Sequence, residues 1–243
     1  MKKILALLAM TASILAVSCK KDNNSNNEEE KPEEETGLSI KIDGDFNDWA
    51  GLKADVVSVA KNNPTSPWEG VTEIRCCADE DFVYYYIKYN KETVNDLLSV
   101  QEEELPIRLC IDTNGDFTTG YGNYFLDSYD FIVEGGLASG GSFTSYDGNL
   151  YQRLEGWEKI LPEGSNLVMG SGSGNEYEIM LARELFDNAV PAAHKMGDVF
   201  YTGIRFYTDG GGSWEELSNM PNASMNDGDG NGWGHLMKVT TVK

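Results

Sequence analysis

The sequence predicts an all-β protein, an antiparallel β-sandwich with one or two short helices. Three observations carry this reading. From Leu38 onward, turn residues recur every eight to twelve positions between short apolar segments, the spacing of a sandwich. Valine, isoleucine and tyrosine dominate those segments, and these residues suit a pleated, half-buried surface. No long alternation of strand and helix patterns exists, which argues against a parallel α/β sheet.

Taken in order, strands are expected near residues 38–43, 54–60, 71–78, 82–89, 106–111, 129–134, 142–147, 149–154, 166–171, 175–181, 198–206 and 235–242. The stretch 82–89 is the strongest, with Val83, Tyr85, Ile87 and Tyr89 on one face. It follows residues 71–78 across Asp79-Glu80-Asp81, the spacing of a hairpin. Helix is scarce. Lys91 to Val100 places Val94, Leu97 and Leu98 at helical spacing, and Ala182 to Asn188 offers a second short helix. No internal repeat and no second linker appear, so residues 38–243 are read as one domain.

Composition narrows the function classes. Lys+Arg is 19 and Asp+Glu is 40, a net charge of −21. That balance argues against nucleic-acid phosphates, which need a basic stripe. It suits neutral ligands and divalent cations, and by itself it also serves solubility. At the N-terminus, Lys2 and Lys3 precede an apolar run from Ile4 to Val17, the layout of a signal peptide over residues 1–18. The run ends in Ala16-Val17-Ser18-Cys19, which resembles the bacterial lipobox, although Ala16 stands where leucine is preferred. That resemblance implies cleavage before Cys19 and lipidation of its thiol. Residues 19–37 then form an acidic tether. Lys20 to Thr36 lacks any aromatic or aliphatic side chain and cannot bury enough surface to order itself. Asp22 and Glu28 to Glu30 resemble the export signal of surface-exposed lipoproteins of Gram-negative glycan users, implying an outer-membrane anchor facing the cell exterior. Three cysteines remain, Cys76, Cys77 and Cys110. An odd number is no disulfide framework, and they are expected as small buried side chains. One pair with Cys110 stays open as the alternative.

The chemistry of the chain concentrates in Leu109 to Tyr121, LCIDTNGDFTTGY. A strand ends there, and Asp112, Asn114 and Asp116 follow at every second position around Gly115. Hard cations want six to eight oxygens, and this run supplies three side-chain donors in one turn. Asp130, opening the next strand, can return a further carboxylate. The same residues also suit an ordinary solvated turn. A second oxygen run, Asp227-Gly-Asp229-Gly-Asn231-Gly232, matches the first half of an EF-hand loop. Lys238 stands at the twelfth position, where the bidentate glutamate belongs, so a full EF-hand is excluded and Asp227, Asp229 and Asn231 are read as a turn or a weaker cation site.

Three segments together resemble the family 9 carbohydrate-binding module and the wider DOMON-like sandwiches. They are IKIDGDFNDWAGL at 40–52, CIDTNGDFTTGY with YDFIVEGG at 129–136, and YEIMLARELF with the later Trp233-Gly234-His235-Leu236. The resemblance implies a sandwich with a structural Ca²⁺ near the Asp112 loop, oligosaccharide or polysaccharide as ligand, and glycan-utilisation enzymes or importers as partners. The residues also read physically. Asp43-Gly44 permits a tight turn, Asp45 can cap a helical turn, and Trp49 is a core plug. The family's two sugar-gripping aromatics have no counterpart here, since residues 90–105 and 221–232 hold no tryptophan or tyrosine. Trp214, Trp68, Trp157 and Tyr207 are the remaining candidates for carbohydrate stacking. Trp214 is favoured by its Gly-Gly-Ser setting, and Trp68 by its polar loop.

No catalytic constellation assembles. His194 and His235 sit in no metal-ligand or triad spacing, and there is no Gly-x-Ser-x-Gly or phosphate loop. A binding protein is expected, not an enzyme. A two-carboxylate glycoside hydrolase is one alternative, and a structural or adhesive domain without a sugar site is another. The DOMON resemblance adds haem. Met169, Met180, Met196, His194 and Lys195 supply axial-ligand types without a recognisable pairing.

Overall fold

The computed structural model describes residues 37–65, 70–90, 92, 104–138, 143–152, 156–159, 167–187, 195–209, 214–224, 226, 230 and 232–243. The expected signal peptide, the tether and Cys19 lie outside these residues, as do Trp68, His194, most of the 91–100 helix, and Asp227, Asp229 and Asn231. No helix among the described residues is long and apolar enough to cross a membrane.

Among the described residues the chain is an antiparallel sandwich. One sheet has the order β1-β2-β3-β9-β8, from Ser58–Lys61, Val71–Ala78, Phe82–Tyr89, Glu176–Ala182 and Val168–Ser173. The other runs β11-β10-β4-β5-β6-β7, from Trp214–Met220, Val199–Asp209, Glu104–Asp112, Phe131–Ala138, Phe143–Gln152 and Gly156–Lys159. A further strand, β12 (Met237–Thr240), pairs with β10. Two one-turn helices complete it, α1 (Asn47–Ala50) and α2 (Glu184–Asp187). The expected hairpin joins β2 to β3, and Asp79 Oδ1 accepts from the amides of Asp81 and Phe82 to close its turn.

Side chains alternate between the two faces of each strand, and both faces of β3 are buried. Val83, Tyr85, Ile87 and Tyr89 face Ile107, Leu109, Ile111, Phe131 and Ile204 in a core between the sheets. The adjacent cysteines split as alternation requires: Cys76 enters that core and Cys77 the opposite face. All three described cysteines are buried and free, so the Cys110 disulfide is not formed. Burial pushes the thiols of Cys76 and Cys77 up, which keeps them neutral.

Both outer sheet faces are partly covered. On the first sheet, Ile40, Trp49, Cys77, Tyr84 and Tyr86 form a cluster beneath the N-terminal segment. On the second, Cys110, Phe125, Tyr129, Ile132 and Leu236 form another. The expected strand at 38–43 is absent. Its amides find side-chain acceptors instead: Lys41 N donates to Asp48 (2.8 Å), and Asp43 N and Gly44 N donate to Glu178 Oε1 (both 2.7 Å). Glu178 is fully buried, and its other oxygen accepts from the Trp49 indole at 3.2 Å. Burial raises its carboxyl, and these donors oppose the rise. Trp49, 2% exposed, is the core plug its motif predicts. Asp45 accepts from Asn47 at the start of α1.

Two strands escaped the sequence reading. β7 and β11 carry GWEK and WEELSNM, short or polar runs without an apolar period. Residues 143–152, expected as two strands over 142–147 and 149–154, form the single β6.

Candidate functional site

The Asp112 loop sits where β4 leaves the second sheet. Tyr201 of β10 pairs with Asp112 on one side, and on the other Ile111 pairs with Phe131. One step past that pair, Asp130 N donates to Ile111 O at 3.0 Å, which sets Asp130 opposite Asp112. Both carboxylates are fully buried. Two acids meeting in the interior is costly unless something positive or protonated joins them. Burial first, and Asp130 second, push the Asp112 carboxyl up to about 6.

The four predicted cation ligands therefore divide. Asp112 and Asp130 come together inside, while Asn114 and Asp116 are exposed at the loop surface. Asn114 Oδ1 accepts from Asp116 N at 2.7 Å, and Asp116 Oδ1 accepts from the amide (3.2 Å) and hydroxyl (2.5 Å) of Thr118. Those Thr118 donors hold the Asp116 carboxyl below the usual range. Among the described residues, no three His, Cys, Asp or Glu side chains gather in a cluster that could hold a metal ion. The donor set at this place is mixed instead. Asp112 Oδ1 accepts from Gly115 N, whereas Asp112 Oδ2 and the hydroxyl of Thr113, both buried, have no hydrogen-bond partner among the described residues. Thr113 was not among the predicted ligands. Buried oxygens left this way beside two acids are the donor chemistry a hard cation takes.

Gly120 closes the loop. It stands at φ +78°, and a Cβ there would come within 2.5 Å of Tyr129 O and 3.0 Å of Asp130 Oδ1. Tyr121 and Tyr129 then exchange backbone hydrogen bonds at 2.8 and 3.2 Å, which fixes the return to Asp130.

A second group of polar residues lies on the outer face of the same sheet. Arg108 of β4 pairs across the ladder with Glu134 of β5 and Arg205 of β10. Its Nε bonds Glu134, its Nη1 donates to the Tyr207 hydroxyl at 3.2 Å, and its guanidinium lies 4.9 Å from the Tyr207 ring centre. The Arg108 and Glu134 side chains remain 30% and 16% exposed. Arg205, 1% exposed, places its guanidinium over Tyr207 and Tyr124. Tyr207 is itself 3% exposed, so its ring is a support for the arginines more than an open platform. Burial pushes its phenol up, against the pull of the two guanidiniums.

The tryptophan candidates stand as follows. Trp214 opens β11, paired with Asp209, two residues on from Tyr207; Gly211, Gly212 and Ser213 before it lie outside the described residues. Trp157 lies in β7, paired with Tyr151. The side chains of both fall outside the described residues. Trp233 packs against Tyr124 with ring centres 5.8 Å apart. Of the haem candidates, Met180 packs on the outer cluster of the first sheet, Met169 is 47% exposed and Met196 is buried near Arg183.

No family model and no curated protein matches the chain. Among the solved structures similar to it are two that bear names. A family 9 carbohydrate-binding module from Caldicellulosiruptor kristjanssonii, in complex with cellotriose, aligns at 10% identity and a TM-score of 0.38 over 84% of this chain and 90% of that one. A protein from Bacteroides uniformis ATCC 8492, named for carbohydrate binding, aligns at 10% identity and a TM-score of 0.42 over 85% and 95%.

Proposed function

We propose that the chain is the glycan-binding domain of a lipid-anchored surface protein, holding oligosaccharide or polysaccharide near the enzymes or importers that use it. What supports a binding face is the half-open group Arg108–Glu134–Tyr207. A guanidinium and a carboxylate side by side offer the donors and acceptors that sugar hydroxyls need. Strand pairing brings Trp214, a residue type suited to the apolar face of a pyranose, two residues past Tyr207 along the same ladder. A structural Ca²⁺ completes the reading. Asp112, Asp130 and the Thr113 hydroxyl would hold it, with Asn114 and Asp116 as outer donors, and it supplies the positive charge that relieves the buried acids.

The test is a glycan array followed by calorimetric titration of whatever binds. Arg108→Ala, Trp214→Ala and Trp68→Ala are compared with the parent, and melting is checked separately. Loss of a stacking tryptophan should cost on the order of 1–3 kcal/mol, roughly tenfold to a hundredfold in affinity. An array without a hit returns the domain to an adhesive or structural role. Variants that all fold and bind like the parent place the site elsewhere.

A further inference from the structure

Arg183 lies between β9 and α2, and it is 8% exposed. Its guanidinium grips four uncharged oxygens. Nη1 donates to Asp79 O at 3.1 Å and to the Thr241 hydroxyl at 2.6 Å. Nη2 donates to two successive carbonyls, Met196 O at 3.2 Å and Gly197 O at 3.1 Å. A planar fork can hold these fixed directions at once; a lysine ammonium cannot. The held turn then reaches the loop described above, because Gly197 N donates to Thr113 O at 3.1 Å. Thr113 is the residue whose buried hydroxyl stands without a partner among the described residues, next to Asp112. The turn is pinned on its far side as well, where Thr241 N donates to Asp198 O at 2.8 Å.

We infer that Arg183 is a positioning residue for the cation loop: through the Met196–Gly197 turn it holds Thr113, and with it the oxygens beside Asp112, in the arrangement a divalent cation takes. The inference rests on the proposed Ca²⁺ reading. Arg183 touches no ligand of the site; it acts two hydrogen bonds away. Coupling of this kind is reciprocal. Filling the site should tighten the turn, as loosening the turn should weaken the site.

The experiment uses the full chain, stripped of metal with chelator and titrated with Ca²⁺ by calorimetry. Arg183→Lys should weaken Ca²⁺ at least tenfold. Thr241→Val, which removes one of Arg183's bonds and leaves the grip on Met196 and Gly197, should stay within about threefold of the parent. Hydrogen exchange on the parent gives an arm that does not depend on the variants folding: Ca²⁺ should slow exchange of the Gly197 amide. A parent that binds Ca²⁺ while Arg183→Lys binds equally well, or while Gly197 exchanges at an unchanged rate, overturns the role of Arg183 alone. Equal losses in Arg183→Lys and Thr241→Val overturn it too, since general loosening then explains both. A parent that takes up no Ca²⁺ overturns the cation reading and this inference together.

Discussion

At the scale of single residues, Asp112 gives the sharpest expectation. Its folded pKa, about 6, lies above the unfolded value near 3.8. In metal-free protein the folded state therefore holds the extra proton between those values, and stability falls as pH rises through that window. The penalty is complete above pH 6. A rise of about two units corresponds to roughly 2–3 kcal/mol. In chelator, then, Asp112→Asn should flatten the fall between pH 4 and 6 relative to the parent, and should be the more stable of the two at pH 7. In Ca²⁺ at a thousandfold excess over Kd the order reverses, because the parent gains about 4.1 kcal/mol and the variant loses a ligand. Urea unfolding at each pH, with and without chelator, measures both differences. Parent and variant curves that run parallel in chelator would show that Asp112 is not strained by its buried neighbour. The acids of this pair were legible in the sequence because loop residues announce themselves by spacing. Thr113 was not: a threonine between two named ligands becomes visible only when its hydroxyl is found buried.

At the scale of elements, β2 and β3 matched their expected bounds because Val83, Tyr85, Ile87 and Tyr89 hold one face of β3 without a break and the Asp79–Asp81 turn marks where β2 ends. β11 was missed because its polar run satisfies no period, and its place follows from a partner, β10, eleven residues long. The 38–43 segment had the composition of a strand, yet two buried or half-buried carboxylates took its amides first. Arg108, Glu134 and Tyr207 come from three strands and meet only through register; no local pattern holds that information. The turn joining the loop to β5 provides a test at this scale. Gly120→Ala combines a left-handed backbone with a Cβ driven against Tyr129 O. Strain at a special φ is worth about 1–3 kcal/mol, and the clash adds to it. Thermal melts in Ca²⁺ should show Gly120→Ala well below Gly174→Ala. Gly174 shares the positive φ, but its Cβ would meet open space. Equal melts for the two would remove the close approach from the account.

At the scale of the molecule, the proposed attachment rests on one thiol. Cys19→Ala should move the protein from membrane to soluble fractions, and fractionation with immunodetection reads it directly. A variant that still pellets with membranes refutes the lipid anchor. The sandwich itself was predictable as a class, since alternation and turn spacing are global properties of the chain. Its covered outer faces were not, because coverage depends on segments that form no strand. The N-terminal cover has a mechanical consequence. Leu38 to Leu52 is fastened to the first sheet by isolated side-chain contacts, from Asp79 and Glu178 and from the wedge of Trp49. A load pulling on Gly37 meets these fastenings one after another, as in peeling tape, whereas two ladder-paired strands pulled lengthwise share a load in shear. The segment is thus a fuse: it would strip away at low force and lengthen the leash while both sheets stay closed.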